Sequence, residues 1–66
     1  MDTIMFTVEQ ARKHAGFSQK EMADMMGIHR QTYMRIEKNP ESATIKQGKM
    51  ISDITGIGFD QIFFIN

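Results

Sequence analysis

Long, forked hydrogen-bond donors gather in one short stretch of this chain, where His29 is followed by Arg30, Gln31, Arg35 and Lys38. An arginine guanidinium pairs in two-pronged fashion with guanine O6 and N7, and a glutamine amide does the same with adenine N6 and N7. On a helix turning 100° per residue, Arg30, Gln31, Met34, Arg35 and Lys38 share one side, and Tyr33 and Ile36 share the other. A row of long polar side chains on an isolated helix is ordinarily a solvated surface and nothing more. Its neighbours in sequence decide whether it does chemistry.

Those neighbours are capped helices. Thr7-Val8-Glu9-Gln10 reads as a capping box, with Gly16 as a left-handed stop, which predicts a helix over 7–15. Ser18-Gln19-Lys20-Glu21 is a second capping box; Phe17 before it is placed to staple onto Met22, and Gly27 closes a helix over 18–26. Only Gly27, Ile28 and His29 separate this helix from the next, so the two must cross steeply. The third helix runs from Arg30 and stops before Asn39-Pro40, because the residue ahead of a proline is pushed out of helical geometry. A loop over 39–42 leads to a fourth helix over 43–55, with Ile45, Ile51 and Ile54 expected inward and Gly56 as its stop. Gly48 inside it costs about 1 kcal/mol relative to alanine, which predicts close packing or a bend there. Phe59, Ile62 and Phe63 mark a short fifth helix over 58–63. The expectation is an all-α, five-helix domain spanning residues 1–66, with a helix-turn-helix core of about 18–38. A capped helix, a glycine turn and a helix bearing arginine and glutamine near its start together match what reading base edges in a major groove requires.

With 66 residues, the chain has room for one small core and excludes a two-lobed enzyme. The cysteine count of zero removes disulfides, thiolate zinc sites and cysteine nucleophiles. His14 and His29 lack metal-ligand spacing, and no glycine elbow surrounds Ser18, Ser42 or Ser52, so neither metal, cofactor nor catalysis is expected. Gly56-Ile57-Gly58 lacks the preceding strand of a phosphate-binding loop. No apolar run approaches the roughly 20 residues of a membrane span, and Met1-Asp2-Thr3-Ile4 lacks the basic start of a signal peptide; a cytoplasmic location is expected. Eight basic and eight acidic residues give net charge zero, which on its own argues against a nucleic-acid partner. The distribution is uneven, however: six Lys/Arg and three acids between Arg12 and Lys38 give +3, balanced by −2 over residues 1–11 and −1 over 39–66.

The chain resembles the phage lambda repressor and Cro-like helix-turn-helix regulators, the xenobiotic-response-element family, from about Val8 to Phe63. The resemblance is carried by Phe17-Ser18-Gln19-Lys20-Glu21-Met22-Ala23, Gly27 through Tyr33, Ile36-Glu37, Gly56-Ile57 and Asp60-Gln61-Ile62-Phe63. It implies a transcriptional regulator that occupies an operator with its third helix in the major groove. Arg30, Gln31 and Arg35 then fall at base-contacting positions; Gln19, His29, Lys38, Asn39 and, more weakly, Lys20 fall at phosphate-contacting ones. It also implies a structural ion pair between Arg12 and Glu37, and a two-fold dimer whose third helices meet successive major grooves of near-palindromic DNA about 34–36 Å apart.

Departures from the family pattern carry their own expectations. His29 stands where a serine or threonine commonly caps the third helix, and it could donate to phosphate when charged. Met34 is either simply exposed or set against a thymine methyl. Met22 and Met26 sit at core spacing, whereas Met25 is undecided. Phe64 and Ile65 exceed what one short helix face can hide, and are expected either at a dimer contact or folded back onto the core. A protein-binding module on the same fold, antitoxin-like or anti-repressor in character, is the alternative function, favoured by the zero net charge.

Overall fold

The structure, a computed structural model, describes residues 5–63. Five α-helices follow in chain order: α1 Val8–Ala15, α2 Gln19–Met26, α3 Arg30–Lys38, α4 Ile45–Thr55 and α5 Phe59–Ile62, with a single 3₁₀ turn at Pro40–Ser42 between α3 and α4. Both expected capping boxes form. Thr7 Oγ1 accepts from Gln10 N–H at 3.0 Å while Gln10 Oε1 accepts from Thr7 N–H at 2.9 Å, and Ser18 and Glu21 repeat the pattern at 3.0 and 2.8 Å. The caps themselves stand outside the helices, so α1 and α2 begin one residue later than the sequence suggests. A third box, Thr44 with Gln47, opens α4 and delays its start to Ile45.

One core gathers between one and three side chains from each helix: Val8 and Ala11 of α1, Met22, Ala23 and Met26 of α2, Tyr33 and Ile36 of α3, Ile51 of α4, and Ile62 of α5, joined by Ile57. Removing a side chain such as Met22 from water contributes about 1.5–3 kcal/mol, a large share of a small domain's stability. Phe6 N–H donates to the Gln61 carbonyl at 2.9 Å and so ties the segment before α1 to α5.

Gly48 is buried, as close packing requires: a Cβ there would lie 2.6 Å from Phe59 Cε2 and 3.2 Å from Phe63 Cε2. Ile45 corrects the sequence expectation, being 71% exposed. The inward stripe of α4 is Gly48, Ile51 and Thr55, and Ile45 lies roughly 90° from its centre at the open end of the helix. Ile54, on the opposite flank, is half-buried. The Thr55 hydroxyl joins the core by donating to the Ile51 carbonyl at 2.8 Å. Among the described residues, no helix is long and apolar enough to cross a membrane.

Candidate nucleic-acid interface

The turn between α2 and α3 is built by Gly27 in the left-handed region, φ +69°. Its N–H bonds the carbonyls of Ala23 and Asp24, and the Ile28 N–H returns to the Ala23 carbonyl at 3.0 Å, which satisfies the end of α2 within three residues. Ala23, 1% exposed, has no side chain beyond its methyl, so α3 can pack close against α2. His29 is extended at the N-cap of α3 and gives no side-chain cap bond, leaving its ring exposed and uncommitted to the helix.

The two faces of α3 separate as its periodicity requires. Tyr33 and Ile36 are 0% and 1% exposed, whereas Arg30, Gln31, Met34, Arg35 and Lys38 are all solvent-exposed. What distinguishes this face from an ordinary wet surface is the state of its charges. Arg12, Lys13 and Lys20 are each paired with an acid: Arg12 with Glu37 and Glu9, Lys13 with Glu9 at 3.1 Å, and Lys20 with Asp24 at 3.0 Å. Arg30, Arg35 and Lys38 have no such partner among the described residues, a state shared only with Lys46 and Lys49 of α4. Glu37, the acid nearest this row in sequence, is turned inward to Arg12.

That pair is buried. Arg12 Nε donates to Glu37 Oε2 at 2.6 Å, with the side chains 10% and 8% exposed, and Arg12 Nη1 donates to the Phe17 carbonyl at 3.0 Å. Glu37 Oε1 takes a further bond from Gln19 Nε2 at 2.9 Å. Burial pushes the Glu37 carboxyl up, but the donors Arg12 and Gln19 and the neighbouring Tyr33 hydroxyl outweigh it and hold the group below its ordinary value. Donating to Glu37 in turn raises Arg12. The Tyr33 hydroxyl is buried beside both groups and makes no hydrogen bond of standard geometry; burial first, then the Glu37 carboxylate, pushes its ionisation well above the ordinary tyrosine range.

Gln19, Met34 and Lys38 meet around a shallow hollow of about 310 Å³, completed by Glu9 and Glu37. The structure thus brings Gln19 of α2 beside the outer face of α3. Lys20 is occupied with Asp24, and Asn39 is exposed at the end of α3, its N–H donating to the Arg35 carbonyl at 2.7 Å. Met25, undecided from sequence, is 44% exposed, and Met34 is 42% exposed. Phe64 and Ile65 lie outside the described residues. The Gln19–Glu37 bond was not foreseen, because its two ends are eighteen residues apart and nothing local in the sequence marks it.

Two short helices joined by a three-residue glycine turn, the second carrying exposed and unpaired donors, define a helix-turn-helix protein. Residues 8–62 match the family described as Helix-turn-helix, of the Cro and phage-repressor type, and the chain belongs to that family of DNA-binding regulators. No curated protein and no solved structure gives a significant match.

Proposed function

We propose that this chain is a sequence-specific transcriptional regulator, of the phage-repressor or xenobiotic-response-element type, which acts by occupying an operator and not by catalysis. The observation that carries the reading is the contrast in ion pairing: acids engage Arg12, Lys13 and Lys20, and leave Arg30, Arg35 and Lys38 unmatched on one exposed helix face. In this reading Arg30, Gln31 and Arg35 read bases, while Gln19, His29, Lys38 and Asn39 hold phosphates, with Lys20 as a weaker contact. Phosphate contacts fix register, and base contacts fix sequence choice. The protein works in the cytoplasm as a homodimer on near-palindromic DNA, paired through the segment that includes Phe64 and Ile65; sedimentation of Phe64→Ala tests the pairing, which fails if that variant dimerises like the parent.

The test of the function is selection of duplexes from a random pool, followed by gel-shift titration of the winners at two salt concentrations. Salt-sensitive binding with a sequence preference is the expected result. Arg35→Ala should cost about 1–3 kcal/mol on the preferred site and relax one base pair, whereas Lys38→Ala should weaken every duplex alike and lower the salt slope by about 0.9. Equal losses on preferred and random DNA for Arg35→Ala would overturn its assignment. Absence of salt-sensitive binding to any duplex would favour a protein-binding module on the same fold.

A further inference from the structure

Glu37 spends both carboxylate oxygens on different helices, Oε2 on Arg12 of α1 and Oε1 on Gln19 at the start of α2. It also lines the hollow that Gln19, Met34 and Lys38 surround. We propose that Glu37, neutralised by Arg12, is a positioning residue that fixes the Gln19 amide for a DNA phosphate entering this hollow, an inference that rests on the DNA-binding reading above. One N–H of Gln19 Nε2 is committed to Glu37, which leaves the second as a donor of fixed direction. A glutamine already held in place loses little side-chain freedom when it meets its ligand. The carboxylate beneath the site would repel a phosphate if it stood alone. Arg12 at 2.6 Å cancels that charge, and Lys13 at 3.1 Å does the same for Glu9, the other carboxylate of the hollow, so two cations of α1 make the anchor compatible with an anionic ligand.

A double-mutant cycle in binding separates this from a purely structural role. The variants are Gln19→Ala, the paired replacement Arg12→Met with Glu37→Met, and all three changes together, titrated on a duplex selected by the wild-type chain. Replacing both members of a buried ion pair by apolar residues of similar volume commonly preserves a fold, and circular dichroism checks that it does. The paired replacement should weaken binding about two- to tenfold on every sequence, the cost of ordering one released side chain. In the Gln19→Ala background the same replacement should change nothing. Equal losses in both backgrounds overturn the proposal while leaving the DNA-binding reading intact; a wild-type chain that binds no duplex overturns both. If the paired variant does not fold, the side-chain amide of Gln19 in the DNA-free wild type decides by nuclear magnetic relaxation. It should be rigid beside the exposed amide of Gln31, and equal mobility of the two sinks the idea.

Discussion

Replacing Arg12 by methionine tests the buried pair most directly. Methionine keeps most of the aliphatic volume of arginine and removes the guanidinium, so Glu37 retains Gln19 as a neutral donor but loses its counter-charge at 2.6 Å. With the Glu37 side chain 8% exposed, the orphaned carboxylate has little access to water, and breaking such a pair from one side costs about 3–5 kcal/mol. A domain of 66 residues has a total stability of only about 3–10 kcal/mol, so Arg12→Met should remove a third or more of it. Urea denaturation followed by circular dichroism measures the loss; at an m-value of about 1 kcal/mol per molar, the midpoint should fall by about 3 M, or the chain should be unfolded outright. Adding Glu37→Met should restore most of the loss. The effect also depends on pH in a definite sense. The Glu37 carboxyl is held below its ordinary value of 4.5 in the folded chain, so its stabilisation is fully present above that value and disappears as pH falls through the lower, folded one. The gap between wild type and Arg12→Met should therefore narrow as pH falls, first as the orphaned Glu37 carboxyl of the variant, pushed up by burial, takes up a proton, and then as the paired carboxyl of the wild type does. A loss under 1 kcal/mol at neutral pH would mean that the pair behaves as an exposed one, and would refute the reasoning.

Tyr33→Phe removes a buried hydroxyl that has no well-formed bond, so stability at neutral pH should stay level or rise by about 1 kcal/mol; a loss above that size would show that the hydroxyl donates to Glu37 in solution. Tyr33 is the one tyrosine in the sequence, and its ionisation is raised in the folded state. Its contribution is intact below the ordinary value of 10.0 and is lost as pH climbs above it, a slope that Tyr33→Phe should abolish in alkaline denaturation followed beside tyrosinate absorbance. For Gly48→Ala, the helix preference gains about 1 kcal/mol, while a methyl 2.6 Å from the Phe59 ring costs about 1–3 kcal/mol of repacking. The balance should be a net loss of about 1 kcal/mol in thermal melts, and a more stable variant would show that Phe59 swings away freely.

Whatever is decided within four residues along the chain was legible beforehand. Thr7, Ser18, Gly16, Gly27 and Gly56 announce caps and stops through local hydrogen bonds and left-handed geometry, and Tyr33 and Ile36 announce the buried face of α3 through period alone. The Thr44–Gln47 box carries the same local signal as the other two; it sets the start of α4 at Ile45, two residues later than the expected 43, and leaves Ile45 exposed in the first turn. Gly48 was legible as a demand for space, but not that the rings of Phe59 and Phe63 would fill it, since that contact joins two helices. The candidate site divides in the same way. The outer row of α3 follows from a wheel, whereas the bond from Gln19 to Glu37 depends on how α2 and α3 are set against each other and has no local trace.

Ion pairing also resolves the apparent conflict between zero net charge and a polyanionic partner. A sum over the chain treats Glu9, Asp24 and Glu37 as opposing every cation equally, but each of these acids lies within 4.0 Å of Lys13, Lys20 or Arg12 and is largely cancelled at short range. At physiological salt the screening length is about 8 Å, so a phosphate approaching α3 senses the nearby Arg30, Arg35 and Lys38 far more than acids on distant faces. Each cation that meets a phosphate releases condensed counterions whatever the total charge of the protein. The salt slope should accordingly follow the number of unpaired cations on this face. Glu9→Gln removes a carboxylate from the rim of the hollow and so should tighten every duplex alike, but it should leave that slope unchanged, because the cations it frees, Lys13 and one contact of Arg12, are not on the α3 face. A slope that rose with Glu9→Gln would show Lys13 meeting a phosphate once freed and remove the distinction drawn between paired and unpaired charge.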